Sequence, residues 1–249
     1  MLRHLTTLLC TAALLAATGC TVAVPGTPTP APGAATKAAP SVSATPLAQP
    51  PAPRPSAGPV AFEPVVDGWS TVHSRQRAAL YDVPPGWEVN SEDTIVGFGT
   101  RNGSVVVAAS GSATVGEDAC GQFSSLATSV VKHSTSGDLA EASRLEAQQW
   151  AGAGFLDAQD RRPTLRTGEP ETITTRTGRR AVVVKVTATA ASPIGPCGTK
   201  GVAYAVSATG FTGRLGPTAI LVVVAGTGFP HAVPDDRIRQ ILTTLRPEP

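Results

Sequence analysis

Apolar and polar residues repeat with different periods in different parts of the chain, and the changes of period mark its organisation. Leu5 to Ala17 is an apolar stretch of 13 residues behind Arg3 and His4. Residues 21–64 have neither a helical nor a strand period. Tyr81 to Val89 is a short extended piece broken by the turn Pro84-Pro85-Gly86. Ile95 to Thr100 and Ser104 to Ser110 are β-rich runs flanking Arg101-Asn102-Gly103, and Asn-Gly predicts a tight hairpin turn with positive φ angles.

The period then becomes helical. Asp138-Leu139-Ala140-Glu141 reads as a capping box, Asp138 accepting from first-turn amides and Glu141 reaching back. Leu139, Ala142, Leu145, Gln149, Trp150 and Ala153 follow at helical spacing, which predicts a helix to about Ala153 with Trp150 buried. A weaker helix is predicted from Gln122 to His133, with Phe123, Leu126 and Val130 on one side. Strands return at Thr172 to Thr177 and Arg180 to Ala190, on either side of a turn at Gly178. Val202 to Thr209 and Thr218 to Ala225 are two more, the last apolar throughout and therefore central. A terminal helix opens at Pro234-Asp235-Asp236, acids on its positive end, with the stripe Ile238, Ile241, Leu242, Leu245. This order is that of an α+β domain over residues 65–249.

Composition separates the rest of the chain from that domain. Of 23 prolines, 12 fall between Pro25 and Pro64, so residues 20–64 form a Pro/Ala/Thr-rich linker that cannot build a core. The linker is expected to be disordered, a spacer whose Thr and Ser beside Pro are candidates for glycosylation. The net charge of +2 belongs to the leader and linker, because from Val65 onward 17 basic residues face 17 acidic ones. A formally neutral domain has no electrostatic reason to seek a phosphate backbone, which argues against nucleic acid.

Residues 1–19 read as a secretory signal peptide: a positive start, an apolar stretch too short to span a bilayer, then small residues. Ala17-Thr18-Gly19-Cys20 resembles a bacterial lipobox, with Ala17 where that motif most often has Leu. The resemblance implies lipid attachment at Cys20, the acyl chains (palmitate among them) tethering the protein to the membrane. Cleavage of Ala-x-Ala type, leaving Cys20 incidental, is the alternative. With Cys10 in the leader, Cys120 and Cys197 remain, and in an oxidising exterior they are expected to pair as a disulfide. Free thiols and a metal site are the rival readings, although no C-x-x-C or nearby His completes a metal set.

No local motif supplies chemistry. G-x-S-x-G, H-E-x-x-H, G-x-x-x-x-G-K-S/T and G-x-G-x-x-G are absent. His73, His133 (at a helix end) and His231 (in a loop) read as surface residues, and Trp69, Trp87 and Trp150 as core. The adjacent acids Glu92/Asp93, Glu117/Asp118 and Asp235/Asp236 suit turns and helix starts, and Asp160-Arg161-Arg162 a solvated loop.

Tyr81-x-Val83-Pro84-x-x-Trp87, Cys120-Gly121, the helix ending near Trp150, Pro196-Cys197-Gly198 and Ile241-Leu242-x-x-Leu245-Arg246-Pro247 together resemble an actinobacterial family of membrane-tethered or lipoprotein domains of unknown function. More distantly, the order of elements and Val83-Pro84-x-x-Trp87 resemble PsbP-like and LpqN-like domains. That resemblance implies an antiparallel sheet flanked by helices on both faces, an α/β/α sandwich, with accessory or binding roles. The function expected is therefore a non-catalytic binding or accessory lipoprotein on the extracytoplasmic face of the cell membrane, without a cofactor. Its expected partners are the membrane itself, through the anchor, and an envelope protein or an apolar lipid ligand. A cell-wall-active hydrolase or transferase is one alternative, and a structural envelope protein without a ligand is the other.

Overall fold

A computed structural model describes residues 62–121 and 124–249 of the chain. The expected signal peptide, Cys20 and nearly all of the expected linker fall on residues 1–61, outside the described residues.

The described residues form β1 (Ser70–Ser74), β2 (Ala79–Val83), β3 (Glu88–Val89), β4 (Val96–Gly99), β5 (Val105–Val115) and β6 (Ala127–Ser134), then α1 (Leu139–Gly154). After these come β7 (Thr164–Thr167), β8 (Glu171–Thr174), β9 (Arg180–Thr189), β10 (Lys200–Thr209), β11 (Thr218–Thr227), α2 (Asp235–Leu242) and β12 (Arg246–Pro247). The order is α+β, mostly antiparallel sheet with two helices.

The main sheet runs β3-β5-β6-β11-β10-β9-β7, with β4 also on β5 and β8 also on β9. The all-apolar β11 lies at its centre, as its composition predicts. A small sheet, β1-β2-β12, lies over one face, and all pairings are antiparallel.

Because the strand period is two, the central strands feed two cores. Val131, Val183, Tyr204, Val206, Leu221 and Val223 face the small sheet and the α2 residues Ile238, Ile241 and Leu242. Val130, Val184, Val186, Ala203, Ala205, Ile220, Val222 and Val224 face α1. Ala142, Ala147, Ala151 and Trp150 form the inner side of α1, and the small residues let the helix lie close to the sheet. Ser143 Oγ fixes it there by donating to Val182 O at 2.8 Å.

One turn and one helix cap differ from expectation. The β4–β5 connection is longer than a two-residue Asn-Gly turn. Gly103 alone carries a positive φ (84°), Gly103 N donates to Thr100 O, and Thr100 N donates to Ser104 O. Asn102 contributes its side chain instead, its Oδ1 accepting from Thr100 Oγ1 and Ser104 N. The register slips between Phe98 and Gly99, as expected of a bulged hairpin. The capping box is half formed: Asp138 Oδ1 accepts from Ala140 N (2.9 Å) and Glu141 N (3.1 Å). Glu141 bonds Arg144 rather than reaching back.

The helix expected from Gln122 to His133 is a correction: residues 127–134 are the strand β6, while Gln122 and Phe123 lie outside the described residues. β6 is held on both sides, by β5 and β11, and a strand covered on both faces loses the clean alternation that would announce it. His133 accordingly sits on a strand and not at a helix end.

Candidate functional site

Two glycines interrupt the central strands at the end of the sheet nearest the disulfide. A Cβ on Gly201 would lie 1.8 Å from the Phe155 ring, and one on Gly226 would lie 2.8 Å from Phe229. Gly154, at the end of α1, meets Phe98 and Val224 in the same way, at 3.1 and 3.2 Å. Glycine inside a strand marks close approach, and here the approaching groups are three phenylalanine rings. Phe98 in turn stands edge-on to Trp150, with centroids 5.7 Å apart.

Cys120 and Cys197 form the expected disulfide, their Cα atoms 5.1 Å apart. It ties the loop after β5 to the turn before β10. Gly195, at φ 58°, allows the two to touch, since a Cβ there would lie 2.0 Å from Cys120 O.

Rings, glycines and disulfide together shape a groove on the α1 side of the sheet. Its inner cavity, of about 150 Å³, is walled by Phe98, Leu126, Phe155, Ile194, Val224 and the disulfide. It continues into a trough of about 620 Å³ between Ile95–Phe98 on one side and Glu117, Asp118, Ser124 and Ser125 on the other, with Thr114 and Thr128 beneath. The rim hydroxyls are engaged with one another and with the backbone: Ser125 Oγ lies 2.7 Å from Thr128 Oγ1, and Ser124 Oγ accepts from Cys120 N. The inner cavity is mainly hydrocarbon, and the trough is a mixed surface that carries two acidic residues, Glu117 and Asp118. Ile95, 72% exposed, stands at the edge.

The sequence-read candidates fall as follows. Cys120 and Cys197 wall the groove, and Cys20 lies outside the described residues. Trp150 is fully buried, and Trp69 and Trp87 pack half-buried against the other core. His73 departs from a surface role: its side chain is 12% exposed, Nδ1 lies 2.5 Å from Glu92 and Nε2 lies 3.4 Å from Glu248. Arg75 pairs with the same Glu92, so this cluster joins β1 to the loop after β3 and to the chain end. His133 is half-buried with Nδ1 sealed and unpartnered, and His231 lines a hollow of about 350 Å³ behind the disulfide. Among the described residues no His ring bonds a Ser, Thr or Cys side chain, and no group of three or more His, Cys, Asp or Glu could hold a metal. No helix among them is long and apolar enough to cross a membrane.

Sequence reasoning missed Phe98, Phe155 and Leu126 as groove residues. The available signal was Gly201 and Gly226, each inside an otherwise apolar strand. Residues 62–249 match the model of a domain of unknown function, DUF8017, and the chain belongs to that family. No curated protein matches the chain.

Proposed function

We propose that this family member is a lipid-anchored, extracytoplasmic binding module that holds an apolar molecule in the groove beside the Cys120–Cys197 disulfide. The observation that carries the reading is the groove itself: a cavity walled by Phe98, Leu126, Phe155, Ile194 and Val224, open to solvent at the Ile95 edge. Binding sites for small ligands are concave and mostly apolar, with few polar groups, and the inner cavity of this groove has that character. The likeness of Tyr81-x-Val83-Pro84-x-x-Trp87 and of the element order to PsbP-like lipoproteins supports an accessory role. The lipobox-like Ala17-Thr18-Gly19-Cys20 supports tethering at Cys20, and the proline-rich linker supports a domain standing off the membrane.

Titration of the intact chain with cis-parinaric acid, a fluorescent fatty acid, tests the groove. Saturable fluorescence gain is expected, and Ser125→Trp, which places a ring over the trough, should abolish it while leaving the circular dichroism unchanged. A linear, non-saturating signal, or an unaltered one in Ser125→Trp, overturns the reading. Cell fractionation tests the anchor: Cys20→Ala should move the protein from the membrane to the soluble fraction, and unchanged membrane association removes the lipid from the proposal.

A further inference from the structure

We infer that Arg77 anchors a second small-molecule site, which meets the groove at Ile95 and takes the carboxylate of a zwitterion of amino-acid size. Arg77 ends a single 3-10 turn, Arg75–Arg77, and Ala78 after it turns back at a φ of 46°. This geometry sends an arginine inward, where it is only 9% exposed. Gly213 closes over its backbone, where a Cβ would come within 2.5 Å.

The guanidinium is half satisfied. Nη1 donates to Ser74 Oγ at 3.3 Å and to Ser110 Oγ at 3.0 Å. Nε is buried without a partner, and Nη2 donates to no described residue. No described carboxylate lies within ion-pairing distance of Arg77. A buried cation facing only hydroxyls is costly, and Nη2, the guanidinium nitrogen that is neither sealed nor hydrogen-bonded to a described residue, is the donor left for a charge-assisted bond to a carboxylate.

The charges around it leave that cost standing. His133 on β6 is held toward its neutral form by burial and by the charges of Arg77 and Lys132, and Glu146 on α1 attracts Arg77 only from beyond ion-pairing distance. Burial pushes the Glu146 carboxyl up, so this acid is itself a weak counter-charge.

A cavity of about 230 Å³ adjoins the side chain, lined by Gln76, Arg77, Asp93, Ile95, Ala109 and Ser110 among others. Its volume lies below the roughly 300–1,000 Å³ of drug-sized sites. Asp93, exposed and in no described ion pair, gives the cavity an opposite charge. A carboxylate on Arg77, an ammonium toward Asp93 and a small aliphatic group against Ile95 and Ala109 satisfy all three surfaces. A phosphate dianion would meet the repulsion of Asp93.

Calorimetric titration and amide NMR of the intact chain with alanine, acetate and inorganic phosphate test the site. Alanine should saturate, acetate should bind more weakly, and the Ala109 and Ser110 amides should shift. Arg77→Lys, which removes the guanidinium and with it the Nη2 donor, should weaken alanine about tenfold or more. Asp93→Asn, on the exposed rim, should weaken it roughly two- to fivefold and leave acetate unchanged. Arg77→Met keeps the volume and drops the charge, so it should lose alanine while keeping or raising Tm, which separates loss of ligand from loss of fold. No saturation by alanine, equal affinity in Arg77→Lys, or phosphate binding tighter than alanine would each overturn the assignment.

Discussion

Glu146 shows how burial at one residue changes the pH response of the chain. Its Oε2 accepts from Trp150 Nε1 at 3.1 Å, half-buried beside the second core. Burial raises its pKa, with Lys132, Trp150 and Arg77 acting in the other direction. The folded chain therefore takes up this proton at a higher pH than the unfolded chain. The contribution of Glu146 to stability is fully present below the unfolded carboxyl value and is lost as the pH rises through the folded one. Glu146→Gln, which keeps an acceptor for Trp150, should raise Tm at pH 7, and the gain should vanish below about pH 4.3. Thermal melts of both proteins across that range check it. At this scale Trp150 is legible from its helical spacing, and the disulfide from the scarcity of cysteine together with the oxidising exterior that the leader-like start leads one to expect. Arg77 and His73 are not, because a polar residue's burial depends on what the fold brings to it: Ser74 and Ser110 in one case, Glu92 and Glu248 in the other.

Among the elements, those with one covered face are the readable ones. α1 and α2 show their stripes and opening acids, and the β9 and β10 expectations end within a few residues of the observed strands. β6 misleads because Leu126 and Val130 fall at helical spacing, while both of its faces are covered. Its identity comes from long-range pairing, Val131 with Leu221 and Val130 with Val222, which no local window contains. β1 and β7 are short, and each is defined by its partner strand. The two halves of the expected capping box can be separated by mutation. Asp138→Ala removes two bonds to first-turn amides and should cost about 1 kcal/mol. Glu141→Ala removes only an exposed pair with Arg144 and should cost a few tenths at most. Urea denaturation of the two variants makes the comparison.

For the whole molecule, the disulfide is the longest covalent constraint, joining residues 77 apart. On the chain-entropy model its loss should destabilise by about 4–4.5 kcal/mol. Cys120→Ser with Cys197→Ser should therefore lower the urea midpoint markedly and, by freeing one wall of the groove, weaken fatty-acid binding beyond what stability alone explains. A midpoint within error of the wild type would show that packing, not the bridge, holds the two loops. The α+β class is legible at this scale from element order alone, whereas the groove is not, since it joins β4, the end of α1 and two loops far apart in sequence. The His73 cluster has a consequence of another kind. Phe62 stands edge-on to the His73 ring, centroids 4.7 Å apart, and Glu248 reaches the same ring from the other end of the domain. Arg246 repeats the junction, pairing with Asp82 and donating to Glu63 O. The ends of the domain meet at one point, so a few residues suffice to join them. The domain over the described residues is thus nearly a closed ring, which can be reopened at the exposed turn Arg101-Asn102-Gly103 with the order of its strands in space unchanged.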